Sequence, residues 1–195
     1  TKKVILTGGE FSIGGNFYED TFAVIEQIEQ NGGHVSIKDD GGKVNNGIVV
    51  SGTGSFEMRG GTVEAGTTPA ALCIKDNADV QLSWGIINGS DQTAIQIEGG
   101  NLNIGSEIKI RGNNAHTVLD ILANDIEKNI IVNDVIMPVA ATCLLDDETG
   151  QYYLYQVIAE AELENLLIAA NPGETITLLE DATLENTVVL NNGSS

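Results

Sequence analysis

Positive charge is scarce in this chain of 195 residues: nine Lys and Arg stand against 28 Asp and Glu, a formal net charge of −19. Phosphate binding needs clustered cations, so no nucleic-acid partner is expected, and no anionic membrane surface. Aromatic residues amount to 5%, with a single Trp. A core drawn from such a pool is narrow and aliphatic. Nothing reaches the roughly 18 consecutive apolar residues of a membrane-spanning helix, so no membrane insertion is expected in this segment. Cys73 and Cys143 are the only cysteines, too few for a disulfide framework. A bridge would need their Cα atoms within about 7 Å, and two free thiols are the expectation. The chain opens on Thr1 with no basic-then-apolar leader, and reads as a piece of something longer. The acidic surplus reads first as a solvated surface. Carboxylates also ligate calcium, which is the one cofactor such a surface could recruit; otherwise none is expected.

What the chain has is glycine, 23 residues without a collagen period, and a repeat. Gly47 opens GIVVSGTGSFEMRGGTVEAG, Ala71 opens ALCIKDNADVQLSWGIINGS and Ala94 opens AIQIEGGNLNIGSEIKIRGN, so the copies start 24 and 23 residues apart. That period is short for a βαβ unit and suits one coil of a solenoid. Within a copy, apolar residues alternate in three short runs: Ile95 and Ile97, Leu102 and Ile104, Ile108 and Ile110. A period of two turns one side of each run inward. Glycine and asparagine fall between the runs, where corners need positive φ. One coil cannot bury its apolar side alone, so the coils must stack, each satisfying its neighbour's backbone.

Residues 2–15 match the middle of a coil, with Val4 and Leu6 standing where Ile95 and Ile97 stand, and Phe11 and Ile13 where Leu102 and Ile104 stand. GGHVSI follows GGEFSI by 24 residues. Between them Phe22–Gln30 is two-faced: Phe22, Ile25 and Ile28 at spacing three suit a short helix, while the neighbouring coils favour strand. A worn coil continues through Leu119, Ile121, Ile130 and Val132, and the pattern stops at Met137-Pro138. ATCLLDDETGQYYLYQV then reads as a hairpin turning at Asp146 to Gly150. Leu163, Leu166, Leu167 and Ala170 share a helical face that Asn171-Pro172-Gly173 ends, and strand-like ITLLED and TVVLNN follow. The helix is placed to cover an open solenoid end.

The run AELENLLIAANPGETITLLEDATLENTVVL, residues 161–190, resembles the module that opens each β-helix in large bacterial cell-surface repeat proteins. GGEFSI, GGHVSI and GGTVEAG are similar to the coils of the same proteins. The resemblance implies a right-handed parallel β-helix of the pectate-lyase-like superfold, and an extracellular or cell-surface setting among carbohydrates. The wider superfold includes polysaccharide lyases and hydrolases, so likeness of fold does not by itself imply catalysis. The expected architecture is therefore all-β: a single-stranded right-handed parallel β-helix of about 5–6 coils over residues 1–137. A β-hairpin (138–158) follows, then a short helix with strands (159–195) acting as a cap or opening the next β-helix.

Candidate chemistry is thin. Against the polygalacturonase-like pattern, Gly33-His34-Val35 precedes Asp39-Asp40 and Lys109-Ile110-Arg111 is reversed, so the match fails and no catalytic residue is expected. One outward ladder, Ser36, Glu57, Gln81 and Asn103, is polar with a single carboxylate; the other, Ile5, Val49, Cys73 and Gln96, is oddly apolar, as if a loop or the C-terminal segment covered it. His34 and His116 lack partners at metal spacing and suit corners, and no metal site is expected. Asp146-Asp147-Glu148 and Asp39-Asp40 read as solvated turns. Exposed rings stack on sugars, so Trp84, Tyr152, Tyr153 and Tyr155 are the candidates for ligand binding; alternation sends Tyr153 opposite to Tyr152, one face packing and the other showing. The expected function is a non-catalytic structural or display segment of a secreted or cell-surface bacterial protein, with a glycan or another surface protein as partner. The alternatives are a carbohydrate-binding or adhesin module, calcium-assisted, and then a polysaccharide lyase or hydrolase.

Overall fold

The computed structural model describes residues 3–14, 23–25, 27–38, 42–114, 118–121, 128–132, 135–136, 140–170, 175–178, 182, 184 and 188. Its chain winds as a parallel β-solenoid of about 4 turns. One face stacks β1 (Lys3–Leu6), β4 (Gln27–Asn31), β7 (Ile48–Ser51), β9 (Ala70–Ile74), β11 (Thr93–Ile97) and β13 (Leu119–Ile121), all parallel. Val4, Ile28, Ile48, Leu72, Ile95 and Leu119 stand in register along it, advancing 24, 20, 24, 23 and 24 residues. The second face stacks β2 (Glu10–Ile13), β5 (His34–Ile37), β8 (Ser55–Glu64), β10 (Asp79–Asn88), β12 (Gly100–Gly112) and β14 (Lys128–Val132). There Phe11, Val35, Phe56, Val80, Leu102 and Ile130 align.

Strands β8, β10 and β12 run on past the corner into a third face, joining β3 (Ala23–Ile25) and β6 (Gly42–Val44). Ile25, Val44, Val63, Ile87 and Ile110 form its inward row. The three inward rows meet in one buried cluster running from Ile13 to Cys143. Phe22 lies outside the described residues, but Ala23–Ile25 and Gln27–Asn31 are strands, because Ile28 must pair with both Val4 and Ile48. The expected 5–6 coils become about 4 turns. Among the described residues no strand of the coil extends the third face past β12, and β15 (Val135–Ile136) folds back antiparallel on β14. Met137 and Pro138 lie outside the described residues.

Beyond the coils, β16 (Ala140–Leu145) and β17 (Tyr152–Ile158) form the expected hairpin, and β17 adds antiparallel to the end of β12 through Arg111↔Tyr153 and Gly112↔Tyr152. A sheet edge left bare would template another chain, and the hairpin covers it. Strand β18 (Thr175–Leu178) joins the far side of β16. Helix α1 (Glu160–Ala169) carries the expected face, but packs in a second cluster: Ile158 and Leu163 are buried, with Leu166, Leu167, Ile176 and Ala182 against them. Capping of the main core falls to Cys143, Tyr152 and Leu154 of the hairpin. Asn171-Pro172-Gly173 and TVVLNN lie outside the described residues or are placed only in part.

Gln30 breaks the inward pattern. It sits between Leu6 and Val50, 1% exposed, and its Nε2 donates to the carbonyls of Gly33 at 2.7 Å and Ser55 at 2.9 Å. The amide thereby ties the corner between two faces, while its Oε1 has no partner. Gly100 occupies a corner at φ +78, and an added Cβ would lie 2.4 Å from the carbonyl oxygen of Ala78 one rung below.

Two stability outcomes follow. Leu72→Ala, in the middle of the stack and fully buried, is expected to cost about 2–5 kcal/mol in urea unfolding. Gly100→Ala is expected to cost about 1–3 kcal/mol, whereas Gly8→Ala, with nothing within 4 Å of the added Cβ, leaves the midpoint nearly unchanged.

Candidate functional site

Strands β12 and β17 pair only where Arg111 and Gly112 meet Tyr153 and Tyr152. Strand β14 covers β12 only over Gly100–Ile104. Between these contacts the two elements part, leaving a cleft of about 430 Å³ lined by Ile108, Lys109, Arg111, Asp146, Tyr153, Leu154 and Tyr155. Alternation sets its walls. Ile110 faces the core and Lys109 is exposed on the opposite side of the strand, with Arg111 two residues on. On β17, Tyr152 and Leu154 pack on the core, Tyr153 is half-buried and Tyr155 is 58% exposed.

The four aromatic candidates therefore divide. Tyr153 and Tyr155 line the cleft, and Tyr152 serves the core. Trp84 stands apart, exposed on the bulge of β10 where the register shifts, between Arg59 and Glu107 of neighbouring rungs. In the sequence Lys109 and Arg111 stand out only as a reversed motif. Their outward phase opposite Ile108 and Ile110 was readable there; that a hairpin forty residues on would face them was not, since antiparallel pairing at that separation leaves no local pattern.

Asp146 closes the hairpin turn. Its carboxylate accepts from the amides of Glu148 at 3.0 Å and Thr149 at 3.4 Å, while its own amide donates to the Gln151 carbonyl at 2.8 Å. Gly150, at φ +69, donates to the Asp146 carbonyl at 2.7 Å. The Thr149 hydroxyl, these amides and the Arg111 charge hold the Asp146 carboxyl below the usual carboxylate range. The acidic run is thus a turn, with that carboxylate engaged by its own backbone. Among the described residues no three His, Cys, Asp or Glu side chains converge as a metal site. His34 begins β5 at a corner, its Nδ1 2.9 Å from the Ser55 hydroxyl. His116, Asp39 and Asp40 lie outside the described residues.

The polar ladder keeps the register read for it, although Ser36 is buried, and Ser12 heads it, its hydroxyl 2.9 Å from that of Ser36. The apolar ladder needs correction. Glu29 stands between Ile5 and Val49, Ile5 is 66% exposed, and among the described elements the strands of this face make their main contacts with each other and within their own coils rather than with the C-terminal hairpin. Cys73 points outward yet is buried, since Gln96, Lys75 and Glu98 close over it. Its thiol lies 3.8 Å from Gln96 Oε1 and 3.9 Å from Glu98 Oε1. Burial pushes it up to about 11, against the pull of Lys75. Cys143, also a buried thiol, is pushed up to about 11 by burial.

No protein-family model, no curated protein and no solved structure matches this chain. The fold is established by its own register, as a parallel β-solenoid, and among the described residues no helix is long and apolar enough to cross a membrane.

At neutral pH neither Cys73 nor Cys143 is expected to react with iodoacetamide in the native protein, and both react in urea; brisk native labelling would contradict their burial. Because folding holds the thiols protonated, the unfolded chain ionises first. Stability is undiminished below the ordinary thiol value of 9.0 and falls as pH rises toward about 11. Urea midpoints measured across that range check the sign.

Proposed function

We propose that this chain is a non-catalytic structural or display segment of a secreted or cell-surface bacterial protein, of the β-helix repeat kind, whose partner is a glycan or another surface protein. The observation that carries the reading is how outward charge is used. Lys3 pairs with Glu29, Lys43 with Glu64 at 3.1 Å, and Lys75 with Glu98 at 2.9 Å, each pair joining neighbouring rungs. Exposed pairs contribute at most about 1 kcal/mol each, but they direct the charges toward cohesion between rungs. Rigidity then comes from the inward rows, and the exterior is left to present surfaces.

The second reading, a carbohydrate-binding or adhesin module assisted by calcium, is favoured by Tyr153 and Tyr155 on a concave site. A polysaccharide hydrolase stands third: it needs two carboxyl groups roughly 5–9.5 Å apart, and among the described residues lining the cleft Asp146 is the only acid.

Incubation with neutral and acidic polysaccharides is expected to yield no new reducing ends and no unsaturated product. Turnover that disappears in Asp146→Asn or Glu57→Gln would overturn the reading. Protease shaving of intact source cells is expected to release peptides of this chain, and their protection until lysis would sink the surface assignment.

A further inference from the structure

We infer that the cleft between β12 and β17 binds a sugar carrying one carboxylate. The inference deepens the glycan-binding reading of the module and leaves the question of catalysis aside. Its starting point is a contrast among the cations. Lys3, Lys43, Arg59 and Lys75 are each held by a carboxylate. Lys109 and Arg111 are in no such pair among the described residues, and both line the cleft. Lys38 also has no such pair among the described residues, and it borders residues outside the described set.

Lys109 and Arg111, on one side of β12 and in no ion pair among the described residues, form a local positive site in a chain whose formal charge is −19, with Asp146 the acid lining the cleft and Glu107 exposed two residues before Lys109. Screening over about 8 Å at physiological salt keeps the distant carboxylates from cancelling it. Arg111 presents a planar fork suited to a carboxylate, and Lys109 adds a second donor. The nearby Asp146 carboxylate is engaged by the turn amides of Glu148 and Thr149, so it lowers the local potential without clamping the guanidinium.

The remaining walls define what carries the carboxylate. Tyr155 is 58% exposed, and Tyr153 lies on the same side of β17. Ile108 and Leu154 supply apolar surface between the charged and the aromatic walls. A pyranose presents a flat C–H face to a ring and hydroxyls to its rim. The volume, about 430 Å³, lies within the roughly 300–1,000 Å³ of small-ligand sites. Asp146 at the rim accepts a hydroxyl and repels a second anion, which selects a singly charged sugar over a polyanion.

The full chain is titrated with glucuronate, glucose and a glucuronate-ended oligosaccharide, reading amide shifts over 108–111 and 153–155. Glucuronate is expected to bind at about millimolar dissociation constant or tighter, weakening with salt, and glucose at least about tenfold more weakly. Arg111→Gln is expected to weaken glucuronate about tenfold and Lys109→Gln several-fold, Tyr155→Ala several-fold, and Lys38→Gln not at all. A tighter oligosaccharide assigns the ligand as a glycan end, and equal affinities as the free acid; either supports the site. Glucose binding as tightly as glucuronate, affinity unchanged in both Lys109→Gln and Tyr155→Ala, or no shift at these amides overturns it. Should Arg111→Gln fail to fold, those two variants carry the test. None of these results touches the display reading, which rests on turnover and on exposure at the cell.

Discussion

The backbone ladder between one rung and the next is the constraint on which everything else depends. It runs through corners as well as strands: the amide of Ser55 donates to Gly33, Asp79 to Gly54 and Asn101 to Ala78, at 2.8–2.9 Å. A slip of one residue would turn every inward side chain of a strand to solvent, so the phase of each face is fixed once its neighbours are. Rung length is not fixed. The step from Ile28 to Ile48 is 20 residues and that from Leu102 to Ile130 is 28, yet inward residues stay in register. Corners take up the difference.

The same ladder explains the local departures. Gln30 stands in an aliphatic row because the corner beside it needs donors for two carbonyls, of Gly33 and Ser55. Its unmatched Oε1 is the penalty, of the order of 1–3 kcal/mol for a buried acceptor. Trp84 is displaced to the surface by the register shift that lets β10 bend from the second face to the third. The ladder must also end somewhere. At β12 it ends on an antiparallel hairpin, which satisfies an edge that a further parallel rung would otherwise have to meet.

The rungs were legible because two independent signals coincide, alternation within each run and glycine or asparagine between runs. The match of Val4 and Phe11 to Ile95 and Leu102 held for that reason, even at the first rung. Phe22–Gln30 was ambiguous because apolar spacing of three occurs where two short strands meet a corner, and only pairing with Val4 and Ile48 separates the two states. Without that rung the ladder lacks Glu29 and looks more apolar than it is. Cys73 was placed outward correctly, but alternation cannot tell that Gln96, Lys75 and Glu98 on the same side fold over it. The aromatic half of the cleft was legible as Tyr153 and Tyr155, its cationic half only as residues on a strand.

That asymmetry has a physical origin. Inside a solenoid each outward residue has a near-identical environment above and below, so a cation meets a carboxylate on the adjacent rung, as Lys75 meets Glu98. On the third face the described rungs end at β12, and there the repeat stops supplying that neighbour. Lys109 and Arg111 face instead a hairpin whose turn already engages its first carboxylate, that of Asp146, in its own backbone. A repeat that is uniform along its length therefore concentrates distinct chemistry at its ends, where the capping strands break the register and leave side chains unmatched. The lateral faces supply length, while the end of the third face supplies a concavity with a cationic wall, the geometry that small-ligand sites share.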